Sequence, residues 1–218
     1  MIRKCLILAN GSPPNKSILQ YLRIKGYSLL ICADGGANTA KKFNLIPDYI
    51  IGDLDSIKPD VYRYYSDKSR IIKIKRQNDT DVEKCLKYAI KKKYTEAVLL
   101  GAIGDRLDHS FCNLGILLKY FDRIKVKLVH QKSLLSVHSG NLRIETIPKE
   151  IISLYGFDEK TVITSTGLKY AMHKMSLPFG KKESTSNVAK GCVVNLRIAK
   201  GKIFIIRDLN TVVKNGLL

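Results

Sequence analysis

The chain has 218 residues, enough for one large domain or two small ones, and its 45% apolar and 26% charged residues are the proportions of a folded globular protein. Lys and Arg number 38 against 19 Asp and Glu, a formal charge of +19, and no apolar run approaches the roughly 18 residues of a membrane-spanning helix. Five cysteines (Cys5, Cys32, Cys85, Cys112 and Cys192) are odd in number, scattered and free of C-x-x-C spacing, which argues against a disulfide framework or zinc site and for a reducing, cytoplasmic setting.

In chain order, MIRKCLILANG has a basic tip, but its apolar run CLILA is shorter than the ~7–15 residues of a signal-peptide core, so it is read as a first strand. SILQYLRIKG then has a helical period. SLLICADGG leads to ANTAKKFN, and YIIGDLDS to a polar stretch. RIIKIKRQN precedes TDVEKCLKYAIKKK, and AVLLGAIGD precedes HSFCNLGILLKYF. Strand, turn and helix in repetition predict an α/β domain with a mainly parallel sheet flanked by helices. Ligands of such sheets sit beyond the carboxyl ends of the strands.

The second half changes period. KVKLVH, SLLSVHSGNLRIETI, EIISLYGF, KTVITSTGLKYAM and GCVVNLRIAKGKIFIIRDL are strand-like and punctuated by turns. Lys200-Gly201 is read as a tight hairpin turn between two β-rich arms. These segments predict an all-β, antiparallel, sandwich-like domain, with the division placed between 1–122 and 123–218. The basic charge has two readings, a nucleic-acid face or a solvated lysine surface. The lysines lie within helix-like and strand-like segments such as LKYAIKKKY, with no arginine-rich tail, which favours the second; no nucleic-acid partner is expected.

Acidic residues gather where apolar runs end: Asp34 in CADGGAN, Asp53 and Asp55 in IGDLDS, Asp79 and Asp81 in NDTDVEK, Asp105 and Asp108 in GDRLDH. In extended chain Asp53 and Asp55 point the same way, and carboxylates that close repel unless a cation lies between them. Hard oxygens at a strand end suit Mg²⁺, which takes its remaining ligands from water and phosphates. The alternative is an Asx-turn with a helix cap. Thr80 and Glu83 form a T-x-x-E capping box, so Asp81 either answers the helix dipole or docks a metal–phosphate complex, or does both.

NGSPPNKS imitates the end of a P-loop, but Asn10 and Asn15 stand where glycines are required. Gly35, Gly36, Gly101 and Gly104 let backbone come close to a nucleotide. His109, at a helix start, is a cap, a polar contact or a catalyst. With no H-E-x-x-H and no nucleophile elbow, the chemistry inferred is phosphoryl transfer without a covalent nucleophile. A D-x-D also serves other metal-dependent nucleotidyl and glycosyl transferases.

ADGGAN, GDLDS, QNDTD, GAIGDRLDH, STGLKY and STSN, in this order, make the chain resemble the thiamine pyrophosphokinases over nearly its whole length. The resemblance implies an N-terminal α/β domain that binds ATP and Mg²⁺, and a β-sandwich-like C-terminal domain that binds thiamine and forms a homodimer. It implies transfer of a pyrophosphoryl group from ATP to the thiamine hydroxyl, releasing AMP. By position it implies Asp53, Asp55 and Asp81 as metal ligands, joined by Asp34 as the catalytic set. It places Asp34, Gly35, Gly36, Ser56, Thr80, Gly101, Gly104, Arg106, Asp108 and His109 around ATP. Around thiamine it places Gln77, Tyr170, Ser184 and Asn187, with the site shared between subunits. Many members have G-G-R-x-D where this chain has Gly104-Asp105-Arg106-Leu107-Asp108, and animal members often carry Trp where Tyr170 stands. Asp81 or Asp34 would take the hydroxyl proton. Thiamine is itself a cation, so stacking and polar contacts must recognise it while Lys and Arg serve ATP.

Overall fold

The apolar run at the head of the chain lies inside a parallel sheet. In the computed structural model, which describes residues 2–75 and 78–217, β1 (Lys4–Leu8) pairs with β2 (Tyr27–Ala33) on one side and β5 (Glu96–Leu100) on the other. β3 (Tyr49–Gly52) and β4 (Arg70–Lys73) continue beyond β2, and β6 (Lys125–His130) lies beyond β5. All of these pairings are parallel, in the order β6-β5-β1-β2-β3-β4. Cys5–Leu8, Leu30–Ala33 and Ala97–Leu100 are buried throughout, as strands covered on both faces must be, which is why they read as unbroken apolar runs.

Helices α1 (Lys16–Ile24), α2 (Gly36–Lys42), α3 (Pro59–Tyr65), α4 (Asp81–Lys91) and α5 (Leu107–Lys119) fill the crossovers. The predicted stripe of α4 is buried at Val82, Cys85, Leu86 and Ala89. α2 begins directly on β1: a Cβ at Gly36 would stand 2.0 Å from the Leu8 carbonyl oxygen, so only glycine fits there. Because the strands are parallel, the loops after β1, β2, β3 and β5 and the start of α4 all open at one edge of the sheet.

The chain divides into two compact units, Met1–Gln131 and Lys132–Leu218. This division lies beyond the 122/123 boundary read from the sequence. β6 is a parallel partner of β5 from Glu96↔Lys125 to Leu100↔Val129, and so belongs to the first unit. The alternating pattern of KVKLVH does not by itself distinguish a parallel strand from an antiparallel one.

In the second unit β7 (Ser133–Glu145) and β12 (Val193–Asp208) are long antiparallel neighbours. The other edge of β12 is shared between two strands. Asn195–Ala199 pairs with β9 (Val162–Thr166), and Phe204–Arg207 pairs with β8 (Ile151–Tyr155). β10 (Met175–Ser176) extends β9, β11 (Ser184–Val188) extends β8, and α6 (Leu209–Lys214) follows β12. Ile152 and Leu154 of β8, Ile163 of β9, and Val194, Leu196, Ile203 and Ile205 of β12 share one apolar cluster, giving the antiparallel β domain that the sequence predicts.

Lys200-Gly201 does not turn a hairpin. Val193–Ile198 pairs with Gly140–Glu145, and Ile203–Asp208 pairs with Ser133–His138, so both arms run along the same neighbour. Residues 199–202 bulge opposite Ser139, with Lys200 at φ 61° and Gly201 at φ 78°. The left-handed backbone that suits a tight turn serves equally to bend one long strand between two partners. Among the described residues, no helix is long and apolar enough to cross a membrane.

Candidate active site

The strand ends of the first unit open into a cleft of about 840 Å³. Asp34 follows β2 in the left-handed region, at φ 41°, with its N–H donating to the Ile51 carbonyl at 3.0 Å. It is 2% exposed. Its Oδ2 accepts the Ser56 N–H at 3.0 Å, while its buried Oδ1 has no hydrogen-bond partner among the described residues. Burial pushes the Asp34 carboxyl up to about 6; the Ser56 N–H opposes that rise, and Asp55 and Asp81 add to it.

One carboxylate oxygen from each of Asp34, Asp53 and Asp81 lies within 4.8 Å of the others. Asp53 follows Gly52 at the end of β3, and Asp81 is the first residue of α4. Asp55 lines the same cleft but is exposed, with the Ser56 hydroxyl donating to its Oδ1 at 2.9 Å. The Ser56 hydroxyl, followed by hydrogen bonding to Asp34, holds the Asp55 carboxyl below its ordinary value. The extended D-L-D expected from the sequence is absent: Leu54 has φ 68°, so Asp53 and Asp55 do not share a strand face. Hard oxygens converging at this spacing, one of them buried and without a hydrogen-bond partner among the described residues, fit a divalent cation such as Mg²⁺. Asp34, Asp53 and Asp81 are placed to hold it, with Asp55 beside them.

The start of α4 carries more than the capping box predicts. Thr80 Oγ1 accepts the Glu83 N–H at 3.2 Å. The Glu83 carboxylate turns inward, accepting from Tyr120 Oη and Lys119 Nζ, each at 2.6 Å. Burial opposes ionisation of Glu83, yet Lys119 and Tyr120 outweigh it and hold its carboxyl below the ordinary value. Lys84, one residue on, lines the cleft with its side chain 3% exposed and its Nζ 2.8 Å from Asp81 Oδ1. Sequence reasoning missed Lys84; the available signal was an acid–base pair three residues apart at a helix start.

The opposite wall is backbone held to backbone. Gly11 N–H donates to the Gly101 carbonyl at 2.7 Å, and Ser12 N–H to that of Ile103 at 2.8 Å. Asn113 Nδ2 donates to the Ala102 carbonyl at 2.6 Å from within α5. The P-loop look-alike thus contributes Asn10, Gly11 and Ser12 to the cleft without being a P-loop. Asn10 was set aside because it stands where a P-loop needs glycine, and Asn113 was missed because it lies outside any acidic or glycine motif.

Gly35, Ser56, Thr80, Gly101, Gly104, Arg106 and His109 also line the cleft. Gly36 is occupied in packing against β1. Asp108 is not among the lining residues: exposed, it receives Arg106 Nη2 at 2.5 Å and Nε at 3.2 Å. In the second unit, Asn187 is buried with its amide fully engaged. Its Oδ1 accepts from the Tyr170 and Val188 N–H groups, and its Nδ2 donates to the Tyr170 carbonyl at 2.8 Å and Ser184 Oγ at 3.1 Å. It ties the turn carrying Tyr170, which is 62% exposed, to β11. Gln77 lies outside the described residues.

Carboxylates, a buried lysine and close-packed glycine backbone beyond the strand ends of a parallel sheet place the molecule among α/β proteins that receive phosphorylated ligands at that edge. The family model of the thiamin pyrophosphokinase catalytic domain matches residues 22–128, and that of the thiamin pyrophosphokinase vitamin B1 binding domain matches residues 141–203. Thiamine pyrophosphokinase 2 of Oryza sativa subsp. japonica is 31% identical over 191 residues, 73% of this chain and 70% of its own. Thiamin pyrophosphokinase 1 of Caenorhabditis elegans is 28% identical over 199 residues, 84% of this chain and 81% of its own. The crystal structure of thiamine pyrophosphokinase from Bacillus subtilis shares the fold, with a TM-score of 0.81 at 24% identity over 94% of this chain and 99% of that one. The chain belongs to the thiamin pyrophosphokinase family.

Proposed function

We propose that the chain transfers a pyrophosphoryl group from ATP to the hydroxyl of thiamine, using the acidic cleft of the first unit as its reaction centre and Mg²⁺ as its metal. The observation that carries this reading is the convergence of Asp34, Asp53 and Asp81 inside the segment matched by the catalytic-domain model. The thiamine oxygen forms a bond to the β-phosphorus of ATP, the bond from that phosphorus to the bridging oxygen of AMP breaks, and AMP leaves. When bound, magnesium neutralises charge on the phosphate oxygens during this displacement. The chain's own groups orient and bind. The tight backbone at Gly101 and Gly104 lets the phosphates lie close, and Arg106 and His109 add polar contacts on the wall. A carboxylate of the cluster, Asp34 or Asp81, takes the hydroxyl proton.

The second unit, over most of which the vitamin B1 binding model matches, supplies the thiamine contacts. Ser184 and Tyr170 are the side chains we assign to it, with Asn187 holding both in place. We assign these contacts to a homodimer whose thiamine site is shared between subunits. The five cysteines are all free thiols, in keeping with a cytoplasmic setting.

The test is AMP release from Mg·ATP with and without thiamine. AMP should appear only with thiamine, in equal amount to thiamine diphosphate, and should stop with EDTA. AMP or ADP formed at the same rate without thiamine would overturn the reading.

A further inference from the structure

We propose that Lys84 is a resident cation of the acidic cleft: its ammonium neutralises Asp81 until the divalent ion arrives, then passes to the triphosphate that comes with it. The inference rests on the reading of this cleft as a magnesium–ATP site.

Two costs make the position of Lys84 unusual. A lysine in the first turns of a helix faces the positive end of the helix dipole. A side chain only 3% exposed also takes its ammonium out of water, which is unfavourable unless a partner compensates. Lys16, at the start of α1 and not buried, meets only the first of these costs. Here the compensation is Asp81, whose Oδ1 accepts from Nζ at 2.8 Å. Asp81 is also one of the three carboxylates that converge within 4.8 Å. Metal and ammonium therefore claim the same carboxylate.

When a divalent ion draws on Asp81, the buried ammonium loses much of its counter-charge. Breaking such a pair is costly unless another anion takes over. Lys84 lines the cleft, so the anion within reach is the triphosphate. Metal alone must displace an internal competitor, whereas metal and triphosphate together leave every charge partnered. Lys84 thus couples the two ligands.

The experiment is Mn²⁺ binding to the full chain, read by electron paramagnetic resonance, with and without α,β-methylene-ATP, whose α–β bridge cannot be cleaved. In the wild type the nucleotide should tighten Mn²⁺ binding. In Lys84→Met, Mn²⁺ alone should bind about threefold tighter or more, and the tightening by nucleotide should fall about tenfold, the loss of one charge-assisted contact. Lys84→Arg should retain the coupling. Lys84→Gln, which keeps a donor toward Asp81, is the second variant should Lys84→Met not fold. A merely structural ion pair predicts lower melting temperature with both Mn²⁺ affinities unchanged within about twofold, and that result would overturn the proposal. Absence of Mn²⁺ binding by the wild type even with nucleotide would instead sink the reading of the cleft itself, and the proposal with it.

Discussion

Gly52 stands where a side chain would collide with Asp34: a Cβ there would lie 2.7 Å from Asp34 Cβ and 3.1 Å from Asp81 Oδ1. The glycine that ends β3 is thus what lets two of the three converging carboxylates approach. Gly52→Ala should force them apart. We expect turnover to fall at least about tenfold and stability to drop by about 1–3 kcal/mol, as for an overpacked core. Steady-state rates and urea unfolding check both. An alanine variant with wild-type turnover would show that the cluster need not be this tight.

The carboxylates should not be equivalent. Asp53→Ala and Asp81→Ala should abolish turnover while the fold persists, as judged by circular dichroism. Retention of more than roughly a tenth of wild-type activity, about 1.4 kcal/mol of barrier or less, would count heavily against a metal role. Asp34→Asn should cost more than Asp55→Asn, because Asp34 is buried in the convergent trio and Asp55 is exposed beside it. The reverse order would shift the metal toward the D-x-D pair.

Glu83 gives a pH signature. Its folded carboxyl is held below the ordinary value near about 4.3, so its contribution to stability is complete above that pH and is lost as pH falls through the folded value. Glu83→Gln should therefore destabilise at pH 7 by about 2 kcal/mol, the scale of a hydrogen bond to a charged group, and by less at acid pH. Unfolding in urea at pH 7 and at about pH 3.5 measures the two values. A deficit equal at both pH values would mean that the Glu83 charge contributes nothing.

Asn187→Ala should release the turn carrying Tyr170 and so raise the thiamine KM more than the ATP KM. The buried partners that it strands should also lower stability by about 1–3 kcal/mol. Kinetics varied in each substrate separately make the comparison. Equal changes in both KM values would place Asn187 outside thiamine recognition.

Much of the α/β half was legible because its central strands are buried on both faces and their runs are therefore unbroken, as in CLIL and AVLL. The aspartates stood out as a group because acids recur where apolar runs end. Lys84 and Glu83 were not: on a helical stripe they read as the solvated side, yet both are buried, since the start of α4 is covered over a wider arc than its later turns. Nor could period-2 alternation decide between a hairpin at Lys200-Gly201 and a bulged strand, because a left-handed pair satisfies both.

By itself the sequence determined the α/β-then-β order of the domains, the acidic segments at strand ends and the family to which the chain belongs. These follow from local pattern and motif order. Only the tertiary structure decided which carboxylates meet. Asp34 and Asp53 follow two different strands and Asp81 opens α4, and their approach depends on parallel pairing and on a missing Cβ at Gly52. Distance in space is set by packing between segments far apart in the chain, and no local pattern records it.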